Sequence, residues 1–313
     1  MSDLKEKVDM SIDRLRHFER IQHIHNSDSY YLAFSGWKDS CVTKWLMDMA
    51  GVKYDAHYRV TSVDPPELVQ FIKENHKDVE LDIPKYGNRR GPEWEGKPIT
   101  MWNLIPWKLM PPTRLVRYCC DFLKESGGDG RLAVTGVRWA ESNNRAKHQG
   151  IATIYGADVD DDIAESPYFR LTGNRGAVLV NDNDGSRQLL DACVTRHKTV
   201  LNPIIDWTDE DIWEFIRAEN IPICDLYYDG FKRLGCIGCP MAQTKQRQKE
   251  FARWPKYKAA YLRAFTKMLA ERNSRGKIGG GGWQTTEDVW HWWMRDGVLP
   301  GQEMLEEFWE EML

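Results

Sequence analysis

Two groups of residues in this chain have types and spacings that suit chemistry. The first is Ser35-Gly36-Trp37-Lys38-Asp39-Ser40. Ser35 and Gly36 let the backbone turn tightly and aim N–H groups at an anion. Lys38 and Ser40 add a charge and a hydroxyl where a helix would begin, a place that favours phosphate. The bland alternative is an ordinary strand-to-helix turn. The second group is four cysteines, an adjacent pair at Cys119 and Cys120 and a Cys-x-x-Cys-Pro run at Cys236 and Cys239. Thiolates hold iron–sulfur clusters and zinc alike, because both suit soft sulfur donors. Zinc sites usually draw on pairs spaced by two to four residues, which adjacent cysteines fit poorly. Cys41, Cys193 and Cys224 have no partner at ligand spacing, and Cys41 reads as a packed core residue.

The elements that must position these groups can be read around them. Residues 3–25 have apolar positions at helical spacing: Val8, Ile12, Leu15, Phe18 and Ile21. YYLAFSG reads as a buried strand running into a glycine turn, and the following helix closes at Gly51. Tyr54–Val60 and Val79–Ile83 read as strands, with a helix over Pro65–Asn75 between them. Residues 84–112, rich in Pro, Gly and Trp, read as irregular, Leu115–Glu125 as helix and Arg131–Gly136 as strand. This alternation predicts a mostly parallel sheet with helices on both faces. Residues 156–167 and the NDNDGS run read as loop and turn. Thr208 caps a helix over Asp206–Asn220, with Asp209, Glu210 and Asp211 in its first turn. A long helical region over 245–273 should break near Pro255. GKIGGGGW reads as a hinge or loop before helices at Glu287–Met294 and Gln302–Leu313.

With those elements in place, Ser35–Ser40 resembles the SGGKDS signature of the PP-loop ATP pyrophosphatases. These belong to the superfamily of phosphoadenosine phosphosulfate (PAPS) reductases and adenine nucleotide α-hydrolases. Trp37 stands where that signature has its second Gly. TSVDPPEL at 61–68 is similar to the family's strand-end segment. VTGVRWAESNNR at 134–145 resembles its TGxRxxxSxxR segment, at Gly136, Arg138, Ser142 and Arg145. The stretch 202–236 resembles its Asp-Trp-Thr helix and the Ile-Pro to Gly-Cys segment that follows. The likeness covers roughly residues 30–242. It implies an α/β parallel-sheet PP-loop domain with a helical C-terminal extension. It also implies ATP or a related adenine nucleotide as ligand, with phosphates against Ser35, Gly36, Lys38, Asp39, Ser40, Gly136, Arg138 and Arg145. Lys38, Asp39 and Arg138 would be catalytic, and Asp39 would hold Mg²⁺ or orient the loop. The bland alternative for Arg138 and Arg145 is a solvated surface charge, but Arg138 follows a strand and a glycine turn, at the sheet edge where open α/β folds bind ligands.

The cysteine pattern resembles that of adenosine phosphosulfate (APS) reductases. It implies one [4Fe–4S] cluster on Cys119, Cys120, Cys236 and Cys239. Lys124 matches a basic residue of that pattern, and Leu123 stands where a neighbouring Arg is found.

Composition adds limits. The net charge of −4 argues against a polyanion binder by bulk charge. Yet residues 245–277 hold eleven Lys or Arg against two Glu, interleaved with Phe251, Trp254, Tyr257, Tyr261 and Phe265. The aromatics read as a core stripe, and the basic residues as a solvated face or a contact for tRNA or DNA. The N-terminus lacks an apolar signal core, and no run approaches the roughly 18 apolar residues of a membrane span. A cytoplasmic protein is expected, in which the cysteines serve as core residues, thiols or ligands.

Three regions are expected: an N-terminal helix (1–27), the nucleotide-binding domain (28–242) and a helical basic, aromatic region (243–313). The function these features favour is ATP-dependent sulfur transfer to an adenylylated acceptor, with a sulfur-donor protein and homo-oligomerisation as expected partnerships. Reduction of APS or PAPS to sulfite is the alternative, but its nucleophile would be a tail cysteine, and no Cys follows Cys239 in these 313 residues. A non-catalytic nucleotide-binding subunit is the third reading.

Overall fold

The computed structural model describes residues 2–22, 29–125, 127–128, 130–155, 165–172, 176–183, 185, 187, 198–276 and 283–295. Cys193, most of the loop at 156–167, most of GKIGGGGW and the helix expected over Gln302–Leu313 lie outside them. The chain divides into two compact units: Met1–Arg59 with Pro66–Asp82 and Gly127–Leu234, and Val60–Pro65 with Ile83–Ser126 and Gly235–Leu313.

The first unit is built on one sheet. Its strands are β1 (Tyr30–Ala33), β2 (Tyr54–Arg59), β3 (Glu80–Asp82), β4 (Ala133–Val134), β5 (Ala152–Tyr155), β6 (Phe169–Thr172), β7 (Gly176–Leu179) and β8 (Lys198–Leu201). They lie in the order β3-β2-β1-β4-β8-β5-β7-β6. From β3 to β8 every pairing is parallel. Leu32, Val134 and Leu201 stand in register across β1, β4 and β8, and all three are buried. Each such side chain contributes about 1.5–3 kcal/mol by leaving water. The other end, β5 to β6, is antiparallel. The sequence pattern did not separate this hairpin, because its strands are only four residues long.

Five helices of this unit matter to the site: α1 (Ser2–Gln22), α2 (Lys38–Ala50), α3 (Pro66–Asn75), α6 (Asn143–His148) and α7 (Asp209–Glu219). Helix α1 is tied down by buried charge. Arg14 donates to Asp182 at 2.7 Å and to Asp206 at 2.8 Å. Helix α2 ends where expected, at Gly51, in the left-handed region. Helix α7 starts at a full capping box, Thr208 with Asp211.

The second unit is helical, with α4 (Met101–Lys108), α5 (Tyr118–Leu123), α8 (Thr244–Arg253), α9 (Pro255–Ser274) and α10 (Thr286–Met294). Two expectations need correction here. Residues 84–112 are not irregular throughout, since Thr100 and Asn103 cap α4 despite Pro106 within it. Helix α5 is shorter than Leu115–Glu125, because a turn from Thr113 to Val116 precedes it. The break at Pro255 occurs as expected, with the proline in the first turn of α9.

Phe251, Tyr261, Phe265 and Trp293 form the buried aromatic core. Arg247 is buried too, donating to Trp293 O at 2.9 Å and lying 4.2 Å from that ring centre. It therefore takes no part in a solvated basic face. Among the described residues no helix is long and apolar enough to cross a membrane.

Candidate functional site

In the first unit, β1 leads through Phe34 into the turn, and α2 begins at Lys38. Gly36 has φ +72°, and a Cβ there would come 2.7 Å from Ile72 Cδ1. Both the conformation and the close approach call for glycine. Ser35 and Ser40 brace the turn, their hydroxyl oxygens 3.0 Å apart, while Ser40 Oγ donates to Trp37 O at 2.9 Å. Lys38 N donates to the Tyr227 hydroxyl at 3.0 Å. Gly136 lets the turn after β4 approach α2: a Cβ on it would lie 2.8 Å from Asp39 O.

Two buried cations face this turn. Lys38 Nζ stands 3.0 Å from Asp39 Oδ1 and 3.1 Å from Asp209 Oδ1. Arg138 Nε stands 2.6 Å from Asp39 Oδ1, and its Nη2 is 2.6 Å from Asp209 Oδ1. The cation side chains are 8% and 2% exposed, whereas that of Asp209 is 71% exposed. One carboxylate oxygen at the mouth of the site thus takes bonds from both buried cations. Burial pushes the Asp209 carboxyl up, but hydrogen bonds from Arg138 and Lys38 outweigh it and hold its pKa below the ordinary value. A cleft of about 150 Å³ opens here, lined by Trp37, Lys38, Asp39, Arg138, Asp209 and Arg233 among others. The Arg233 guanidinium lies 5.6 Å from the Trp37 ring centre.

Arg145 is not among the residues that line this cleft. It sits on the short helix α6 and pairs with Glu141, four residues back, a placement that sequence spacing could not distinguish from phosphate contact. Asp209 and Tyr227 were missed. Asp209 was legible only as an acid in a helix first turn, and Tyr227 carried no signal.

All four cysteines lie in the second unit. Cys119 and Cys120 lie on α5, and Cys236 and Cys239 on a turn whose Gly238 has φ +73°. That turn is pinned on three sides. Ile237 N donates to Val63 O at 2.7 Å, Gly238 N to Glu250 Oε2 at 2.8 Å, and the Tyr261 hydroxyl to Ile237 O at 3.0 Å.

All four cysteines are half-exposed, while Cys41 and Cys224 are buried. The Cys119 thiol responds to Cys120 first, then to Cys236 and Cys239, which raise its pKa together with burial. Cys120 is held down at about 5 by the hydrogen bond from Cys119, then by Arg117, whose Nη2 is 3.3 Å from its sulfur, and by Lys124. Lys124 is raised, chiefly by the Cys236 thiol. Cysteine thiols with cations beside them offer a donor chemistry that suits an anionic iron–sulfur cluster.

A largely parallel sheet with helices, a glycine turn and buried cations beyond its first strand defines a class, the open α/β proteins. Within it, residues 29–242 match the family model for the phosphoadenosine phosphosulfate reductase domain, and the chain belongs to that family. It is 26% identical over 243 residues to an adenosine 5'-phosphosulfate reductase of Pseudomonas aeruginosa, covering 74% of this chain and 73% of that one. It is 40% identical over 53 residues to the enzyme of the same name from Neisseria meningitidis, but spans only 22% of that relative's length. A solved FMN adenylyltransferase of Candida glabrata shares 15% identity, covering 76% of this chain and 62% of that chain, with a TM-score of 0.41.

Proposed function

We propose that the chain binds ATP or a related adenine nucleotide at Ser35–Ser40 and catalyses ATP-dependent sulfur transfer. The observation that carries this reading is the Asp209 oxygen held between Lys38 and Arg138. A carboxylate oxygen stands there as a phosphate oxygen would, so a nucleotide phosphate that displaces it gains both buried cations. Asp39, turned toward the same cations, holds Mg²⁺ or orients the loop.

In the reaction, an acceptor oxygen attacks the α-phosphorus. The new O–P bond forms as the bond to the bridging oxygen breaks, and pyrophosphate leaves with its charge matched by Lys38 and Arg138. Hydrosulfide released by a donor protein then bonds to the acceptor carbon and loses its proton as the C–O bond breaks and AMP departs. Cys119, Cys120, Cys236 and Cys239 would hold a [4Fe–4S] cluster, which with all four irons ligated would supply charge that orients the activated acceptor. A tRNA or DNA acceptor suits the exposed lysines of α8 and α9.

Reduction of APS or PAPS is the second reading, favoured by the extent of the Pseudomonas match. Pyrophosphate release from ATP, with sulfite release from APS and PAPS measured in parallel, separates the two. The transferase reading expects the first and not the second.

A further inference from the structure

Residues 85–124 carry eight Lys or Arg against three Asp or Glu, in a chain of net charge −4. Three of those cations rest on aromatic rings. The Arg90 guanidinium lies 3.2 Å from the Trp94 ring centre, 4.9 Å from that of Tyr86 and 5.4 Å from that of Trp107. Lys97 Nζ is 5.1 Å from the Trp94 centre. Lys108 Nζ is 4.4 Å from the Trp107 centre and 4.6 Å from that of Phe122. The rings themselves form a continuous row. Centroids are 5.4 Å apart from Trp94 to Tyr86, 5.6 Å from Tyr86 to Trp107 and 5.3 Å from Trp107 to Phe122. Strong cation–ring contacts occur about once per 70–80 residues of ordinary protein, so this density is a local concentration.

Two observations separate the row from core packing. Trp94, Trp107 and Phe122 are half-exposed and Lys97 is exposed, unlike the buried Phe251, Tyr261 and Phe265. Moreover, among the described residues Arg90, Lys97 and Lys108 form no ion pair with a carboxylate. Arg90 spends its hydrogen bonds on the Tyr86 hydroxyl at 2.7 Å and Asn103 O at 3.3 Å. Lys38 and Arg138, by contrast, are each balanced by two carboxylates. Positive charge held by rings remains available to phosphates, and half-exposed rings remain available to bases.

We propose that this row is a binding strip for single-stranded nucleic acid. The cations track the backbone phosphates, and the exposed ring surfaces stack unpaired bases. A duplex has its bases already stacked on one another and gains only the phosphate contacts, so the strip favours single strands. It ends at Phe122, on the helix that carries Cys119 and Cys120. The inference rests on the nucleic-acid acceptor proposed above and moves its main contact from α8 and α9 to residues 86–122.

The test is fluorescence anisotropy of the full chain with labelled oligothymidylate and oligouridylate of about 15 nucleotides, and with a duplex of the same length, across a salt series. Both single strands should bind more tightly than the duplex. Lys97→Gln with Lys108→Gln should weaken single-strand binding roughly tenfold. It should also flatten the slope of log affinity against log salt by about 1.4, near 0.7 per lost phosphate contact. Trp94→Ala should weaken binding about fivefold or more with the slope unchanged.

Lys73→Gln with Lys77→Gln, an exposed pair at the end of α3, is the control, expected to change binding less than about twofold. Equal or tighter duplex binding, no single-strand binding, or an equal effect of the two lysine pairs overturns the strip. ATP binding, measured by titration calorimetry in the same preparations, keeps the outcomes apart. Its persistence without oligonucleotide binding would sink the strip and spare the nucleotide site, while the reverse would do the opposite.

Discussion

At the scale of single residues, Asp209 decides how the nucleotide site behaves when empty. Its carboxylate balances Lys38 and Arg138 at 3.1 and 2.6 Å, yet its side chain is 71% exposed and can swing away. An incoming phosphate must displace it, so its charge opposes binding. Asp209→Asn should therefore tighten ATP binding by roughly threefold to tenfold in a titration calorimeter; weakening would instead make Asp209 a metal ligand. Lys38→Ala should weaken ATP binding by roughly thirtyfold to a hundredfold, since it removes a buried charge-assisted contact. Lys53→Ala, at an exposed position, should change it little, and equal effects would count against the site.

The turn at Ser35–Ser40 was legible as a strand-to-helix glycine turn because glycine, lysine and serine fall in order between a strand and a helix. Arg138 was legible because it follows a glycine turn at a strand end. Asp209 was hidden, because a helix-capping acid and a site acid look alike until α7 is placed beside α2. Arg145 shows the matching ambiguity. Its partner Glu141 lies only four residues back, and spacing alone cannot say which way either side chain turns.

At the scale of elements, the reading succeeded where local chemistry dominates. Helix α7 begins within its Thr208–Asp211 capping box, and α8 and α9 divide at Pro255 as the ring of proline requires. It failed where tertiary packing overrides propensity: Pro106 sits inside α4, whose apolar face packs on α9.

The packing of α2 against the end of α3 has a pH consequence. His76 follows α3 and is 8% exposed, with Nε2 3.8 Å from Cys41 Sγ on α2. Burial first, and then the Lys44 charge, lowers its pKa from 6.5 to about 4. A depressed folded value means that the stability contribution is complete above about pH 6.5. It is lost as pH falls toward 4, because the unfolded chain takes up the proton first. The loss should reach about 3 kcal/mol. Urea unfolding should show about 2 kcal/mol of it between about pH 7 and about pH 5, and His76→Gln should flatten the difference. A pH-independent midpoint in the parent protein would refute the assignment.

The cysteine turn offers a second test at this scale. Gly238 has φ +73°, and a Cβ there would lie 2.4 Å from Phe251 Cζ. Gly238→Ala should destabilise the chain by about 1–3 kcal/mol, read from the urea midpoint.

At the scale of the whole molecule, the first compact unit carries the buried cations Lys38 and Arg138 and the second carries the four thiols. Membership of the PAPS reductase domain family joins both sets to one ancestry but leaves the reaction open. The cluster proposal has its own readout: anaerobically purified protein should contain iron and sulfide. Cys236→Ala should lose both, along with the visible absorbance. Zinc on the four thiolates without iron would contradict it.

The measurement that tests the central claim most directly is pyrophosphate release from ATP by the anaerobically prepared chain, with Lys38→Ala beside it. The account predicts release that depends on acceptor nucleic acid and falls at least about a hundredfold in the variant. Sulfite formed from APS or PAPS, with no pyrophosphate from ATP under any acceptor, would contradict it.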